Sequence, residues 1–125
     1  MKNILLTIIL TITFGLNAFS QSSISCNELA DGVAKEGKKV GGYSTLDLFN
    51  SDWLYKVDGY EYEEFIFVIA EVKRKNSLLQ QTDKYIFCGI PKSNWENFSS
   101  KLSDWGMSIG EKFHKYIYNY KCNCD

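Results

Sequence analysis

The chain has 125 residues, with 14 lysines and arginines, 15 aspartates and glutamates, and a formal net charge of −1. This length gives room for one domain, and the balanced charge excludes a globally basic nucleic-acid-binding protein. Only Arg74 offers a guanidinium group, so clamps for phosphate or carboxylate ligands are scarce.

The first twenty residues have the pattern of a secretory signal peptide. Lys2 supplies a positive start, an apolar run covers about residues 4–14, and small residues stand at the end of the segment. We therefore expect cleavage between Ser20 and Gln21 and export of the rest, which has 13 basic and 15 acidic residues once Lys2 is removed. A retained membrane anchor is the alternative, although the apolar run is short for a spanning helix. After cleavage we expect no stable membrane span.

All four cysteines, Cys26, Cys88, Cys122 and Cys124, lie in the exported part. An even number of cysteines in an oxidising compartment predicts disulfides, and four cysteines allow three complete pairings. Cys122 and Cys124 are too close in sequence to favour a bond to each other, so we expect Cys26 to join one of them. Cys88 is then the remaining partner or a buried free thiol. We expect no metal site, because the only histidine, His114, lies elsewhere and the spacing fits no common zinc pattern.

The first predicted element of the exported part is a short helix over about residues 26–36. Ser25 and Glu28 have the pattern of a capping box, and Gly37 ends the run. The next stretch, KKVGGYSTLDLFNS, is ambiguous, because its two glycines indicate a loop while its leucines and phenylalanine offer a short apolar stretch.

Three strands are predicted after this loop. Residues 53–57 alternate in polarity, and Asp58-Gly59 predicts a turn. The run EYEEFIFVIAEVKRK has apolar side chains on both faces over residues 65–70, which is typical of a central strand buried on both sides. YIFCGI is the third strand. Short connections between the strands predict an antiparallel meander.

The last third of the chain is predicted to be helical. Ser93 and Glu96 have the pattern of a second capping box, and Gly106 stands where a left-handed residue ends a helix. Ser108 and Glu111 then cap a final helix. The apolar faces of the two helices carry Trp95, Phe98, Leu102 and Trp105, and Phe113, Tyr116, Ile117 and Tyr120. The predicted fold is therefore α+β: a short N-terminal helix, a three-stranded antiparallel meander and two C-terminal helices packed on the sheet.

The string GMSIG, residues 106–110, formally matches the nucleophile-elbow pattern G-x-S-x-G. An elbow needs a strand before the serine, whereas the segment that precedes Ser108 has helical periodicity. His114 follows on the same predicted helix, where only Glu111 is placed to orient it. A serine hydrolase that uses Ser108 is therefore the least favoured function, and we expect no enzyme, no catalytic residue and no cofactor.

Four segments, SDWLYKVDGY, FIFVIAEVK, YIFCGIPKSNWENF and SIGEKFHKYI, together resemble the KTSC domain, a short module named from the C-terminus of some lysyl-tRNA synthetases. The matching positions are Ser51, Tyr85, Phe87, Ile90, Pro91, Ser108, Gly110, Phe113 and Ile117. Phe87 departs from the family pattern, which usually has a second tyrosine there. The resemblance covers about residues 51–120. It divides the chain into a signal peptide over 1–20, an N-terminal helix and loop over 21–50, and a KTSC-like domain over 51–125.

The resemblance implies a binding role of unknown ligand, with RNA binding suggested for the family. RNA binding transfers poorly to an exported, net-acidic chain with one arginine, so it is the alternative and nucleic acid is disfavoured as a partner. We expect a small exported, non-enzymatic binding or interaction module whose partner is a protein or a small ligand outside the cytoplasm. Aromatic placement and the resemblance together select a candidate ligand surface, made of Tyr85, Phe87, Ser108, Gly110 and Phe113.

Overall fold

The computed structural model describes residues 24–75 and 79–124, and the predicted signal peptide lies outside them. The described residues form an α+β fold, as predicted, with three α-helices, four strands and a 3-10 turn. The elements are α1 (Cys26–Glu36), β1 (Lys38–Tyr43), β2 (Leu54–Tyr62), β3 (Phe65–Lys73), β4 (Thr82–Ile90), α2 (Lys92–Ser99), α3 (Ile109–Tyr116) and the 3-10 turn (Tyr118–Tyr120).

The sheet is an antiparallel meander in the order β1-β2-β3-β4. The prediction of three strands is wrong, because the ambiguous stretch contributes the edge strand β1. Gly41 and Gly42, which indicated a loop, have φ values of +138° and +155° and pair with Gly59 and Asp58 of β2. A side chain on Gly42 would collide with the backbone of Val57. The glycines therefore let β1 approach β2 closely instead of leaving the sheet.

β2 runs straight through Asp58 and Gly59, so the turn predicted there is wrong. The chain turns instead at Glu63 and Glu64, which both have positive φ. Gly59 is buried, and a Cβ atom at this position would collide with the indole ring of Trp95. Tertiary packing of α2 against β2 thus overrides the local Asp-Gly turn signal.

Both faces of the sheet are covered. On one face, Val68 and Ala70 of β3 are fully buried beneath α2 and α3. On the other face, Ile69 packs with Ala30 and Val33 of α1. The prediction of a central strand buried on both sides is confirmed for β3, except at its exposed first residue, Phe65. The molecule therefore has three layers, with α1 on the face opposite the two C-terminal helices.

Two disulfides, Cys26–Cys124 and Cys88–Cys122, join the C-terminal segment (residues 121–124) to the rest of the fold. The expected bond from Cys26 to one of the last two cysteines is confirmed, and Cys88 is the remaining partner rather than a free thiol. The Cys122 N–H donates to the Ile86 carbonyl of β4 at 3.1 Å. Two disulfides indicate an oxidising, non-cytoplasmic environment. Within the described ranges, no helix has the length and apolar character needed to cross a membrane.

α2 is shorter than predicted and begins differently. Pro91 is its N-cap and no side-chain capping bond is present, so the predicted Ser93–Glu96 capping box is wrong. The helix ends at Ser99, so Leu102 and Trp105 do not continue an apolar face. They are 86% and 89% exposed.

Polar contacts hold residues 100–107 as an irregular loop. The Ser100 carbonyl accepts a hydrogen bond from the buried Lys112 ammonium group at 2.5 Å. Asp104, at a φ of 51°, accepts hydrogen bonds from the Tyr116 hydroxyl and from Lys115, and these bonds lower the pKa of its carboxyl group. Gly106 has a positive φ of 94° but lies within this loop rather than at the end of a helix.

The capping boxes predicted for the other two helices are confirmed. The Ser25 and Ser108 hydroxyls each accept a hydrogen bond from the N–H of the glutamate three residues later, at 3.1 Å. Each of these glutamate carboxylates accepts a bond from the N–H of its serine in return. Both patterns depend only on four consecutive residues, so they need no tertiary contact.

Candidate functional site

A groove of about 340 Å³ opens between β4, α3 and the C-terminal segment. We call it the aromatic groove. Its lining residues are Trp53, Val72, Tyr85, Phe87, Phe113, His114, Tyr118 and Lys121. Six different parts of the fold supply these side chains, so the groove exists only in the folded domain.

The floor of the aromatic groove belongs to the hydrophobic core. Phe87 and Phe113 are both buried and meet edge to face, with ring centroids 5.2 Å apart. Trp53 stands edge to face against Phe113 at 5.6 Å. Such edge-to-face pairs stabilise each other beyond the area they bury. Phe87 and Phe113, predicted as ligand-surface residues, are therefore mainly core residues that shape the floor.

The rim of the groove carries exposed aromatic rings and a cation. Tyr85 is 37% exposed and Tyr118 is 51% exposed. The His114 ring lies 4.6 Å from the Tyr118 ring and 5.1 Å from the indole of Trp53. The Lys121 ammonium group lies 4.9 Å from the centroid of the Tyr85 ring, within the range of a cation–π contact. Exposed aromatic rings and one ammonium group therefore surround the same groove.

Trp53 is held in place from two sides. The Ser51 hydroxyl accepts hydrogen bonds from the N–H groups of Leu54 and Trp53, and the Lys73 N–H donates to the Trp53 carbonyl at 2.7 Å. A Cβ atom on Gly110 would lie only 2.8 Å from the indole nitrogen of Trp53, so α3 packs directly against the ring. Ser51 and Gly110, two of the positions that carry the resemblance, thus act by positioning Trp53.

Ser108 and Gly110 lie outside the aromatic groove. They line a neighbouring cavity of about 300 Å³, whose residues are Asp47, Leu48, Asn50, Ser51, Asp52, Trp53, Ser108, Ile109 and Gly110. The five predicted ligand-surface residues are therefore divided between two cavities that share Trp53. The hydroxyl oxygen of Ser108 is engaged in the cap of α3, where it accepts the Glu111 N–H.

The charges around the aromatic groove have one sign. Its described lining contains no carboxylate, while Lys121 and His114 supply a cation and an imidazole. Within residues 24–75 and 79–124, Lys121 forms no ion pair. Arg74, in contrast, binds Asp83 at 2.6 Å, and this hydrogen bond lowers the pKa of the Asp83 carboxyl group. The groove is thus a local positive site on a chain whose net charge is negative.

Sequence reasoning missed Trp53, Val72, His114, Tyr118 and Lys121 as groove residues. Tyr118 lies outside the apolar face predicted for the final helix, and Lys121 lies beyond the predicted elements. One sequence signal could have identified Trp53. It is a tryptophan directly before a strand, two residues after a serine whose hydroxyl can accept the N–H groups at the start of that strand. The remaining four residues reach the groove only through tertiary contacts, so no local pattern indicates them.

No protein-family model matches the sequence, and neither a curated protein nor a solved structure is significantly similar to the chain. Membership of the KTSC family therefore stays a prediction, and the case for a site depends on the geometry of the described residues. Among these residues, no group of three or more histidine, cysteine, aspartate or glutamate side chains is arranged to hold a metal ion.

Proposed function

We propose that this protein is a small exported, non-enzymatic binding module and that the aromatic groove is its ligand site. The observation that carries this conclusion is the display of exposed aromatic rings and an ammonium group around one concavity with a core floor. A mostly apolar concave site with a few convergent polar groups is the usual form of a small-molecule site, and about 340 Å³ is within the usual range.

The groove is built to keep its shape without a ligand. Its floor consists of Phe87 and Phe113, which the core already holds in fixed edge-to-face contact. On the C-terminal side, the Cys88–Cys122 disulfide fixes the residue that follows Lys121. A preformed site loses little conformational entropy on binding, which favours affinity.

We also propose that residues 51–120 form a KTSC-like domain. The proposal is supported by positions that match the family pattern and also build the aromatic groove. Ser51 and Gly110 position Trp53, while Tyr85, Phe87 and Phe113 line the groove. In this proposal the residues that match the KTSC pattern shape an aromatic binding site rather than a catalytic site.

Single-stranded RNA is the alternative ligand, because Tyr85 and Tyr118 offer rings on which bases could stack. Phosphate neutralisation by several cations normally supplies much of the affinity for nucleic acid. The groove has one lysine, and Arg74 is bound to Asp83. RNA binding that weakens steeply with salt would favour this alternative, whereas flat titrations at low salt would exclude it.

Fragment screening of the purified, disulfide-bonded protein tests the proposed site. We expect hits that shift the indole N–H resonance of Trp53, which the Trp53→Phe variant assigns. Tyr85→Ala should weaken these hits about tenfold, since loss of a stacking ring costs about 1–3 kcal/mol. Tyr62→Ala is the matched control, because Tyr62 packs on Phe67 on the opposite face of the sheet. Hits that leave Trp53 unshifted, or that bind Tyr85→Ala as tightly as the wild type, would disprove the site.

A further inference from the structure

We infer that the ligand of the aromatic groove is a small organic acid with an apolar or aromatic body and a single carboxylate. This inference rests on the proposed function and adds the chemical class of the ligand. The apolar floor indicates the body of the ligand, and the sign and number of the charges on the rim indicate its charged group.

The floor selects the body of the ligand. Phe87 and Phe113 close the floor from the core side, while the half-buried side chains of Trp53 and Val72 offer accessible apolar surface above them. Apolar surface that is removed from water here contributes the bulk of the affinity. An aromatic ring in the ligand would add edge-to-face contacts of the kind already present between Phe87 and Phe113.

The rim selects an anion. Lys121 is held over the Tyr85 ring by a cation–π contact and has no carboxylate partner among the described residues. The ammonium groups of Lys73 and Lys112, in contrast, bind backbone carbonyls at 2.5 Å. His114 donates at least one ring N–H in either protonation state. An incoming carboxylate would therefore find two donors and meet no negative charge on the described lining.

The number of donors favours a monoanion. A phosphate group or a polyanion is usually bound by an arginine fork or by several cations, and the groove has neither. A cationic ligand would be placed next to Lys121 without a counter-charge. A carboxylate on an apolar body matches one ammonium group at the edge of an aromatic floor.

A matched set of three ligands tests the inference: 3-phenylpropanoate, 3-phenylpropanamide and 3-phenylpropylammonium, which share a body and differ in charge. Affinity is measured by calorimetry and by the indole N–H shift of Trp53 on the full disulfide-bonded protein. We expect the acid to bind about tenfold more tightly than the amide, because hydrogen bonds to a charged group are the stronger ones. We expect the ammonium compound to bind most weakly.

Lys121→Gln should remove the preference for the acid over the amide. Lys84→Gln is the matched control, since Lys84 is an exposed lysine of the same strand as Tyr85 and does not line the groove. We expect Lys84→Gln to keep the full preference for the acid.

Equal affinities for the three compounds, tighter binding of the ammonium compound, or an acid preference that survives in Lys121→Gln would each overturn the inference about the acid. The proposed site would still stand in these cases, provided that Trp53 shifts. If none of the three binds, the inference about the acid is wrong. The fragment hits then decide separately whether the groove is a ligand site.

Discussion

At the scale of single residues, Gly110 shows how a missing side chain sets the geometry of the site. Gly110→Ala adds an atom where only 2.8 Å is available to the indole nitrogen of Trp53. Alanine favours a helix by about 1 kcal/mol over glycine, whereas overpacking costs about 1–3 kcal/mol. We expect net destabilisation in urea unfolding together with a displaced Trp53 indole resonance, because the ring must move.

Gly32→Ala in α1 is the control, since a Cβ atom there has nothing within 4 Å. We expect this variant to gain about 0.5–1 kcal/mol from helix propensity alone. If Gly110→Ala were stabilised to the same degree, Gly110 would be an ordinary helix residue and the close packing on Trp53 would be wrong.

The caps and the groove show which residue roles the sequence can predict. Ser25 and Ser108 were identified as caps because a capping box depends on a four-residue pattern. Aromatic placement and the resemblance to the KTSC domain together predict that Phe87 and Phe113 lie on the ligand surface, on one face of the fold. Spacing does not show how deeply that face is covered, which depends on Trp53 and α3.

At the scale of elements, the β2–β3 hairpin turns through two glutamates in an unfavourable conformation. Glu63 and Glu64 form a two-residue loop between the paired Tyr62 and Phe65, with φ values of 49° and 73°. Such loops favour Asn-Gly, because a side chain in the left-handed region costs about 1–2 kcal/mol. We expect the double substitution Glu63→Asn with Glu64→Gly to raise the free energy of unfolding by about 1–2 kcal/mol.

Chemical denaturation of the double variant and of Glu61→Asn measures this effect. Glu61 is an exposed glutamate within β2, where asparagine relieves no strain and we expect no gain. If both variants changed stability equally, the effect would come from lost negative charge rather than from the turn conformation.

The same hairpin explains why one predicted turn was misplaced. Asp58-Gly59 has the composition of a tight turn, yet Asp58 lies between Lys39 and Lys56, at 3.1 and 3.7 Å. Gly59 is where α2 packs closest to the sheet through Trp95. The Asp58–Lys39 ion pair and the contact of Gly59 with Trp95 join β2 to other elements, so a four-residue pattern does not show them.

At the scale of the whole molecule, the sequence predicted the fold class but not the arrangement of the layers. Hydrophobic periodicity identified β3 as a strand buried on both faces, and such a strand requires cover on each side. Periodicity did not show that α1 covers the second face of the sheet. The position of α1 depends on the Cys26–Cys124 bond and on its contacts with Ile69. The strand β1 was missed for a related reason, since Gly41 and Gly42 belong to the sheet through their pairing with Gly59 and Asp58 of β2.

The two disulfides should separate stability from binding. They close loops of very different length, with sequence separations of 98 for Cys26–Cys124 and 34 for Cys88–Cys122. In the chain-entropy model, removal of the disulfide that closes the longer loop lowers the free energy of unfolding by about 4–5 kcal/mol. Removal of the disulfide that closes the shorter loop lowers it by about 3–4 kcal/mol. We therefore expect the double variant Cys26→Ser with Cys124→Ser to be the less stable of the two in urea.

The two double variants should rank in the opposite order for ligand affinity, with the greater loss in the variant that lacks the Cys88–Cys122 bond. The Cys88–Cys122 bond fixes the residue next to Lys121, so the double variant Cys88→Ser with Cys122→Ser frees one side of the aromatic groove. We expect weaker binding of 3-phenylpropanoate by this variant and nearly unchanged binding by the Cys26–Cys124 variant, when both are measured at a temperature where each is folded. Equal losses of affinity in the two variants would mean that global stability, rather than the position of Lys121, limits binding.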